Sequence, residues 1–210
     1  MTSSSGRQLL TRESLNVGVR ALKRKDRALG QWMERIGTVP LRRQRHQFGA
    51  LCRAILSQQV AAAAARTIHT RFLATQAPAR NPTPQGVLQT TEVALRACGI
   101  SGRKARYLHA LAQAFDDGPL AGVRLSRLDD PEVVARLTEV PGVGVWTAEM
   151  FLIFSLGRAD VFSVGDLALR TGVQRVVGRN LEASEIEQVA ERWSPHRSVA
   201  SLYLWKIAHY

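Results

Sequence analysis

Asp166 is the residue of this sequence best placed to do chemistry, because it lies between a segment predicted to be extended, residues 161–165, and a predicted helix, residues 167–177. A carboxylate can stabilise positive charge that develops on a substrate, and it can orient or deprotonate an attacking water. Aspartate is also preferred at a helix N-cap, where a side-chain oxygen accepts a backbone N–H. The local sequence leaves both roles open, and they are compatible with each other.

A glycine-rich turn, Pro141-Gly142-Val143-Gly144, joins two predicted helices about twenty residues before Asp166. Glycine allows positive φ angles, so successive N–H groups can point outward together at the start of the second helix, where an anion is favoured. Backbone carbonyls of the turn can also hold one hard cation; the candidates are Thr138, Val140 and Val143. Because a helix precedes the turn, a dinucleotide-binding loop is not expected, whereas a purely structural corner between helices is an alternative.

The charge of the chain points to a polyanionic partner. Its 210 residues include 29 Lys and Arg against 17 Asp and Glu, a net charge of +12. Nucleic acid is the leading candidate, since its closely spaced phosphates release counterions when cationic side chains neutralise them. Residues 1–45 hold eleven of the basic residues and three of the acidic ones. This basic arm is either a helix with a flexible tail or a solvated segment.

Several classes of site are excluded by the cysteines and histidines. Cys52 and Cys98 are the two cysteines of the chain, so a disulfide framework, a four-cysteine zinc site and a four-cysteine iron–sulfur cluster are not expected. The five histidines show no metal-ligand spacing. The sequence also lacks a signal-peptide pattern and a long apolar run, so we expect an intracellular, cytoplasmic protein.

The helical pattern covers nearly the whole chain, and no segment alternates convincingly with a period of two. We predict an all-α protein of nine or ten helices without internal repeats. The predicted helices cover residues 46–72 with a break at 57–59, then 91–98, 103–115, 130–140, 145–156, 167–177, 182–193 and 197–210.

Three separated segments carry a resemblance to a known family. They are Ile55-Leu-Ser-Gln-Gln-Val60, Pro141-Gly-Val-Gly-Val-Trp-Thr-Ala148 and Trp193-Ser-Pro-His-Arg-Ser-Val-Ala-Ser-Leu-Tyr-Leu-Trp205. With Asp166, they resemble the helix–hairpin–helix superfamily of DNA glycosylases, more narrowly bacterial DNA-3-methyladenine glycosylase II. The resemblance implies a glycosylase core over residues 46–210 after the basic arm 1–45, built as two helical lobes with a DNA- and base-binding cleft between them. Lobe one would be about 1–60 plus 165–210, and lobe two about 61–164, carrying the hairpin 137–148.

By this resemblance, Asp166 is the catalytic carboxylate, which stabilises the cationic sugar formed as the N-glycosidic bond breaks. Trp146 stands where glycosylases that also cut the strand carry a nucleophilic lysine, so hydrolysis without strand cleavage is implied. Trp146 and Trp205 would form walls of the base pocket, and Met150 stands where some relatives have an aromatic residue. Both tryptophans can instead be core residues.

The hairpin and the segment 55–60 supply most of the expected DNA contacts. Gln59 matches the position of a side chain that fills the gap left by a flipped base, although Gln58 and Gln59 can equally cap a broken helix. Lys104 would hold a phosphate or lie on a solvated surface. The full expected set is Gly142, Val143, Gly144, Val145, Thr147, Gln58, Gln59 and Lys104.

The resemblance implies a base excision repair enzyme that removes alkylated purines, of the 3-methyladenine and 7-methylguanine class, from double-stranded DNA. It implies a monomer that needs no cofactor for its chemistry and has no iron–sulfur cluster, and it allows a structural monovalent or divalent cation at the hairpin. Two alternatives stay open. One is a non-catalytic helix–hairpin–helix DNA-binding protein in which Asp166 is only a cap, and the other is a glycosylase for a different damaged base.

Overall fold

Twelve α-helices account for most of the chain in a computed structural model that describes residues 9–41 and 43–210. No β-strand occurs in these ranges, where one isolated bridge joins Leu9 and Arg158, so the all-α prediction is confirmed. A π-helical turn, Leu152–Leu156, directly follows α9. The helices are α1 Arg12–Lys25, α2 Arg27–Ile36, α3 Gln47–Ser57, α4 Ala62–Ala74, α5 Pro84–Gln89, α6 Glu92–Ala97, α7 Gly102–Asp116, α8 Asp130–Thr138, α9 Val145–Phe151, α10 Leu167–Val177, α11 Ala183–Glu191 and α12 Arg197–Ile207.

The structure has more helices than the sequence predicted, in part because the short helix α5 was missed. Thr83 caps α5 by accepting the Gly86 N–H at 3.0 Å, and Pro84 occupies its first turn. Helix α8, which the sequence predicted over residues 130–140, has the same pattern of cap and proline, with Asp129 as the cap and Pro131 in the first turn. The signal for α5 was therefore present, but the proline-rich loop around it obscured the signal.

The basic residues 1–45 include two helices that pack in the core, while residues 1–8 of this arm lie outside the described residues. Thr11 and Ser14 form a reciprocal capping box at the start of α1. Helix α1 buries Leu15, Gly18 and Leu22 and leaves most of its cations outside. A Cβ on Gly18 would lie 2.9 Å from Val199 Cγ2, so α1 and α12 approach closely. Residues 12–36 of the arm are thus part of the fold.

The chain forms two units, one of residues 1–43 with 152–210 and the other of residues 44–151. The sequence suggested divisions near 60 and 164 instead. Helix α3 belongs to the second unit because it packs on α4, α7 and α9. Residues 152–164 belong to the first unit because their backbone is bonded there; the Gly157 carbonyl, for example, accepts the Leu10 N–H at 2.5 Å.

The core of the first unit is built around α12, which buries eight of its eleven residues. A Cβ on Gly172 of α10 would lie 2.5 Å from the Leu204 carbonyl oxygen, so these two helices are in backbone contact. Trp193 is fully buried, and its indole N–H donates to Asp26 Oδ2 at 2.9 Å. Since Asp26 also caps α2, one carboxylate joins the basic N-terminal segment to this core.

The second unit is centred on α3 and α7. Both helices contribute fully buried leucines, and Phe48 meets Phe115 edge-on with ring centroids 5.4 Å apart. Helix α7 begins after Ser101, whose hydroxyl accepts the Lys104 N–H. In the described part of the chain, no helix is long and apolar enough to cross a membrane.

Candidate functional site

Asp166 is a buried N-cap in the first unit, with 8 % of its surface exposed. One carboxylate oxygen, Oδ1, accepts the Leu169 N–H of α10 at 2.9 Å. The other, Oδ2, accepts the indole N–H of Trp205 at 3.2 Å. The capping role anticipated from sequence is therefore present. The two donors fix the orientation of the carboxylate, as a preorganised electrostatic group requires.

Trp205 is half-buried on α12, so it is neither a plain core residue nor a freely exposed one. Its ring lies 5.5 Å from that of Phe154, with 31° between the planes. The indole thus presents one polar group to Asp166 and packs an apolar face against Phe154. This arrangement brings a carboxylate and an aromatic surface together within one unit.

Arg43, which the sequence analysis did not single out, holds the π-helical turn that carries Phe154. Its Nη2 donates to the Ser155 carbonyl at 2.9 Å and to the Leu156 carbonyl at 2.8 Å. The next residue, Gly157, has φ +71°, and a Cβ there would lie 2.5 Å from Arg43 Cζ. The guanidinium that approaches this glycine lies more than a hundred residues away in sequence, so no local pattern predicts the contact.

The segment Trp193-Ser-Pro-His-Arg-Ser forms hydrogen bonds with residues 158–161, which precede Asp166 in the chain. Arg197 Nε and Nη2 bind the two oxygens of Asp160 at 2.9 and 3.1 Å. The Ser198 hydroxyl accepts the Val161 N–H at 2.9 Å and donates to the Arg158 carbonyl at 2.8 Å. Burial acts to raise the pKa of Asp160, but the hydrogen bonds from Arg197 outweigh it and hold that pKa below its ordinary value.

In the glycine-rich turn of the second unit, Gly142 has the positive φ that the sequence suggested, whereas Gly144 does not. Gly142 has φ +88°, and a Cβ there would lie 2.3 Å from Tyr107 Cγ, so only glycine fits. The Val140 carbonyl accepts the Val143 N–H at 3.0 Å, and the Gly144 carbonyl accepts the Ala148 N–H at 3.1 Å as α9 begins. The turn lines an open cavity of about 700 Å³ together with residues of α3, its following loop and α7.

The two glutamines at the end of α3 have different environments. Gln58 Nε2 donates to the Gly142 carbonyl at 2.9 Å, which ties the loop to the turn. Gln59 is exposed and has φ +53°, and Arg103 Nη2 contacts its Oε1 at 3.4 Å. Of the two, Gln59 is therefore the one presented to solvent at the cavity.

Lys104 caps α3 from the neighbouring helix. Its ammonium donates to the Leu56 carbonyl at 2.8 Å and to the Gln58 carbonyl at 2.6 Å. Burial, followed by the nearby charge of Arg103, lowers the pKa of Lys104. The expected phosphate contact therefore competes with a structural role that the sequence did not reveal.

Trp146 lies on the first turn of α9, lines the cavity and is 43 % exposed. A plain core role for this tryptophan is excluded by that exposure. Val145 beside it is also exposed, whereas Thr147 is buried and Met150 is half-buried. The structure thus groups Trp146 with the turn and the glutamines in the second unit, and it groups Asp166 with Trp205 in the first.

Backbone oxygens are the candidate metal ligands. Thr138, Val140 and Val143 all line the same cavity, which is compatible with the expected set of carbonyls around a hard cation. Within the described ranges, no group of three or more His, Cys, Asp or Glu side chains is arranged to hold a metal ion.

Comparisons with known proteins identify the family. Residues 52–196 match the model for HhH-GPD superfamily base excision DNA repair proteins. DNA-3-methyladenine glycosylase 1 of Schizosaccharomyces pombe is 34% identical over 166 residues, which cover 78% of this chain and 73% of that protein. A crystal structure of a DNA-3-methyladenine glycosidase from Bacillus halodurans superposes with a TM-score of 0.80 at 33% identity, covering 91% of this chain and 88% of the other.

A second solved structure also superposes on this chain. The 3-methyladenine DNA glycosylase of Schizosaccharomyces pombe in complex with abasic DNA superposes with a TM-score of 0.79 at 31% identity, covering 92% of this chain and 95% of the other. The family model spans more than half of the chain, and the hairpin and Asp166 both lie within the matched range. This chain therefore belongs to the HhH-GPD superfamily of base excision DNA repair proteins.

Proposed function

We propose that this protein is a DNA-3-methyladenine glycosylase, which hydrolyses the N-glycosidic bond of alkylated purines in double-stranded DNA. The observation that carries the proposal is the buried Asp166 carboxylate, oriented by the Leu169 N–H and the Trp205 indole. Relatives that match most of the chain bear the name of this activity. We infer action as a monomer, and an intracellular location follows from DNA as the substrate.

The proposed chemistry uses Asp166 as an electrostatic and general-base group. Positive charge develops on the sugar as the purine leaves, and the ionised carboxylate stabilises it. Asp166 then orients or deprotonates the water that attacks the sugar carbon, while the electron pair of the broken bond leaves with the base. Because its two donors already hold the carboxylate, little reorganisation is needed during the reaction.

The base pocket is proposed to include Trp146, Trp205 and Met150. An alkylated purine carries positive charge in its ring and is attracted to the face of an indole, by ~0.5–2 kcal/mol. This charge also makes the base a good leaving group. Tryptophan cannot form a Schiff base, so Trp146 in place of a nucleophilic lysine supports a monofunctional enzyme that leaves the strand intact.

The DNA contacts are proposed to come from the turn and from the loop after α3. The backbone of Gly142, Val143, Gly144, Val145 and Thr147 would bind one phosphate, and the carbonyls of Thr138, Val140 and Val143 would hold a cation beside it. Gln59 is the candidate to fill the gap in the duplex, because Gln58 is bonded to the turn. The chemistry itself requires no cofactor in this proposal.

The decisive experiment measures release of 3-methyladenine and 7-methylguanine from methylated DNA by wild type and Asp166→Asn. Asparagine also caps helices well, so the variant should fold, which thermal unfolding checks. We expect wild type to release both bases and the variant to be slower by about 10²–10⁴-fold. If wild type binds DNA but releases no base, the protein is a non-catalytic binder; if the variant keeps the wild-type rate, Asp166 is only a cap.

A trapping experiment tests the monofunctional assignment separately. Borohydride reduces a Schiff base to a stable adduct. We expect no covalent protein–DNA adduct under conditions where base release is complete. A trapped adduct would show that a lysine attacks the sugar and would overturn this part of the proposal.

A further inference from the structure

A second, smaller cavity lies in the unit of residues 44–151, at the end of α3 remote from the glycine-rich turn. Its volume is about 190 Å³. Helix α3 has eleven residues, so its two ends are about 16 Å apart. The polar residues that line this cavity are Gln44, Arg45, His46, Arg53, His69 and Asn81.

The shape of the cavity depends on one face of α3. His46, Gly49 and Arg53 are spaced by three and four residues and therefore share that face. A Cβ on Gly49 would lie 2.8 Å from His46 Nδ1 and 3.3 Å from Pro82 Cδ. The missing side chain of Gly49 thus keeps this space open.

The electrostatic character of the cavity is positive. No Asp or Glu of the described residues lines it, and residues 44–91 contain five arginines and no acidic residue. Among the described residues, no carboxylate forms an ion pair with Arg45 or Arg53. Burial, and then the positive charge of Arg53, lowers the pKa of His69. Arginine side chains therefore line this cavity, and no carboxylate of the described residues pairs with them.

His46 adds a hydrogen-bond donor to this set. Its Nδ1 accepts the Gly49 N–H at 3.0 Å. A neutral imidazole with an acceptor at Nδ1 carries its proton at Nε2, so the remaining nitrogen of the ring is a donor. Together with two guanidinium groups and the amide of Asn81, the cavity offers donors suited to an oxyanion.

We propose that this cavity binds a phosphate group, with Arg45 and Arg53 as its main ligands. Guanidinium groups match the oxygens of phosphate with paired, charge-assisted hydrogen bonds. The cavity is smaller than the ~300–1,000 Å³ of sites for drug-sized ligands, so a small anion suits it better than a nucleobase. The phosphate is either free in solution or part of a DNA backbone that also reaches the glycine-rich turn.

The test follows the imidazole NMR signals of the protein's five histidines during a titration with inorganic phosphate against chloride at matched ionic strength. His46 and His69 lie at the cavity, whereas His109, His196 and His209 do not and serve as internal controls. We expect saturable shifts confined to the first two. Equal shifts at all five histidines, or the same shifts with chloride, would overturn the proposal.

Charge-neutral variants identify the ligands. We expect Arg53→Gln to weaken phosphate binding by about tenfold, the effect of losing one charged hydrogen bond. Arg71→Gln is the matched control, because Arg71 is an exposed arginine of α4 outside the cavity. Equal affinities of the two variants would contradict the proposal, and unfolding curves would show whether either fold has changed.

A competition with undamaged duplex DNA distinguishes the two sources of phosphate. If duplex shifts the His46 and His69 signals and displaces inorganic phosphate, the cavity is a second contact to the DNA backbone. If duplex leaves these signals unchanged while phosphate still shifts them, the ligand is a free phosphate compound. If neither duplex nor phosphate shifts them, there is no phosphate site. Base release does not enter this test, so its outcome is independent of the proposed enzyme activity.

Discussion

The turn at residues 141–144 is recognisable from its own glycines, whereas the carboxylate of Asp166 is held by one neighbour in sequence, the Leu169 N–H, and by one distant partner, the Trp205 indole. The turn requires glycine at one position, Gly142, where the backbone passes close to Tyr107, and the Gln58 side chain binds the carbonyl of the same residue. Asp166, by contrast, depends on Trp205, on the segment fixed by Ser198 and on the π-helical turn that supports Trp205. The comparison teaches that a backbone site can be read from local sequence, while an oriented side chain needs the folded unit.

Of the variants that test this comparison, Gly142→Ala is expected to lose the most stability. Its Cβ would lie 2.3 Å from Tyr107 Cγ, and φ is +88°, so the turn has to change shape. We expect the free energy of unfolding to fall by about 3 kcal/mol. The affinity for DNA should fall as well, because the turn changes shape. Denaturant unfolding and a duplex-binding assay measure the two effects.

The matched control for that change is Gly144→Ala, since nothing lies within 4 Å of a Cβ at Gly144. Its effect on stability should be much smaller. If the two variants were equally stable, the contact with Tyr107 would not be what requires glycine at position 142.

Asp160→Asn, in the unit that carries Asp166, is expected to lose less stability than Gly142→Ala, and this loss should depend on pH. The folded state holds the pKa of Asp160 below its ordinary value, so its contribution to stability is present above about pH 4, the pKa of an unfolded aspartate, and is lost as the pH falls through the folded pKa. We expect the variant to be less stable by about 1–2 kcal/mol at pH 7. The difference from wild type should shrink when unfolding is repeated below pH 4.

Glu191→Gln is the control for Asp160→Asn, because Glu191 binds the same guanidinium of Arg197 from an exposed position. It should leave stability almost unchanged. If the difference in stability between Asp160→Asn and wild type did not change with pH, Asp160 would not be the titrating partner of Arg197.

An effect on activity rather than on stability is expected from Trp205→Phe. The change removes the indole N–H that binds Asp166 Oδ2 and keeps an aromatic ring against Phe154. One such hydrogen bond corresponds to about a tenfold fall in the rate of base release. Trp193→Phe instead removes the buried bond to Asp26 and should lower the melting temperature without changing the rate of the folded enzyme. Similar rates for wild type and Trp205→Phe would show that the indole does not orient the carboxylate.

The smallest effect is expected from Lys104→Met in the unit of the turn. The carbonyls of Leu56 and Gln58 lose their charged donor, which should cost about 1 kcal/mol of stability. We expect the slope of log affinity for DNA against log salt to stay the same. A slope reduced by about one unit would show instead that Lys104 contacts a phosphate.

Sequence reasoning predicted the all-α class, the family and the N-cap role of Asp166, because these depend on local patterns or on motif spacing. It did not predict that residues 12–36 pack in the core. Helices α1 and α2 carry many cations, so the row of buried residues along each helix is hard to recognise in the sequence. Nor did it find Arg43, whose partners lie in the π-helical turn more than a hundred residues away. The division of the chain into units also differed, because the packing of α3 on α9 has no local signal.

Within the candidate site, the sequence anticipated that Asp166 caps a helix, but it did not reveal the interactions of Lys104 and Trp205. A lysine at a helix start looks like a surface cation until the carbonyls of a neighbouring helix are known. Similarly, an indole in an apolar helix does not reveal which acceptor its N–H will meet. Long-range hydrogen bonds of this kind are fixed by the tertiary structure.

The left-handed backbone of Gln59 has a consequence for protein engineering. A non-glycine residue at φ +53° costs about 1–2 kcal/mol compared with a relaxed conformation. A programme that selected only for thermostability would therefore favour glycine at this position and would gain from it. If Gln59 fills the gap in the duplex, the same substitution would lower activity, so thermostability and repair would trade off at this one residue.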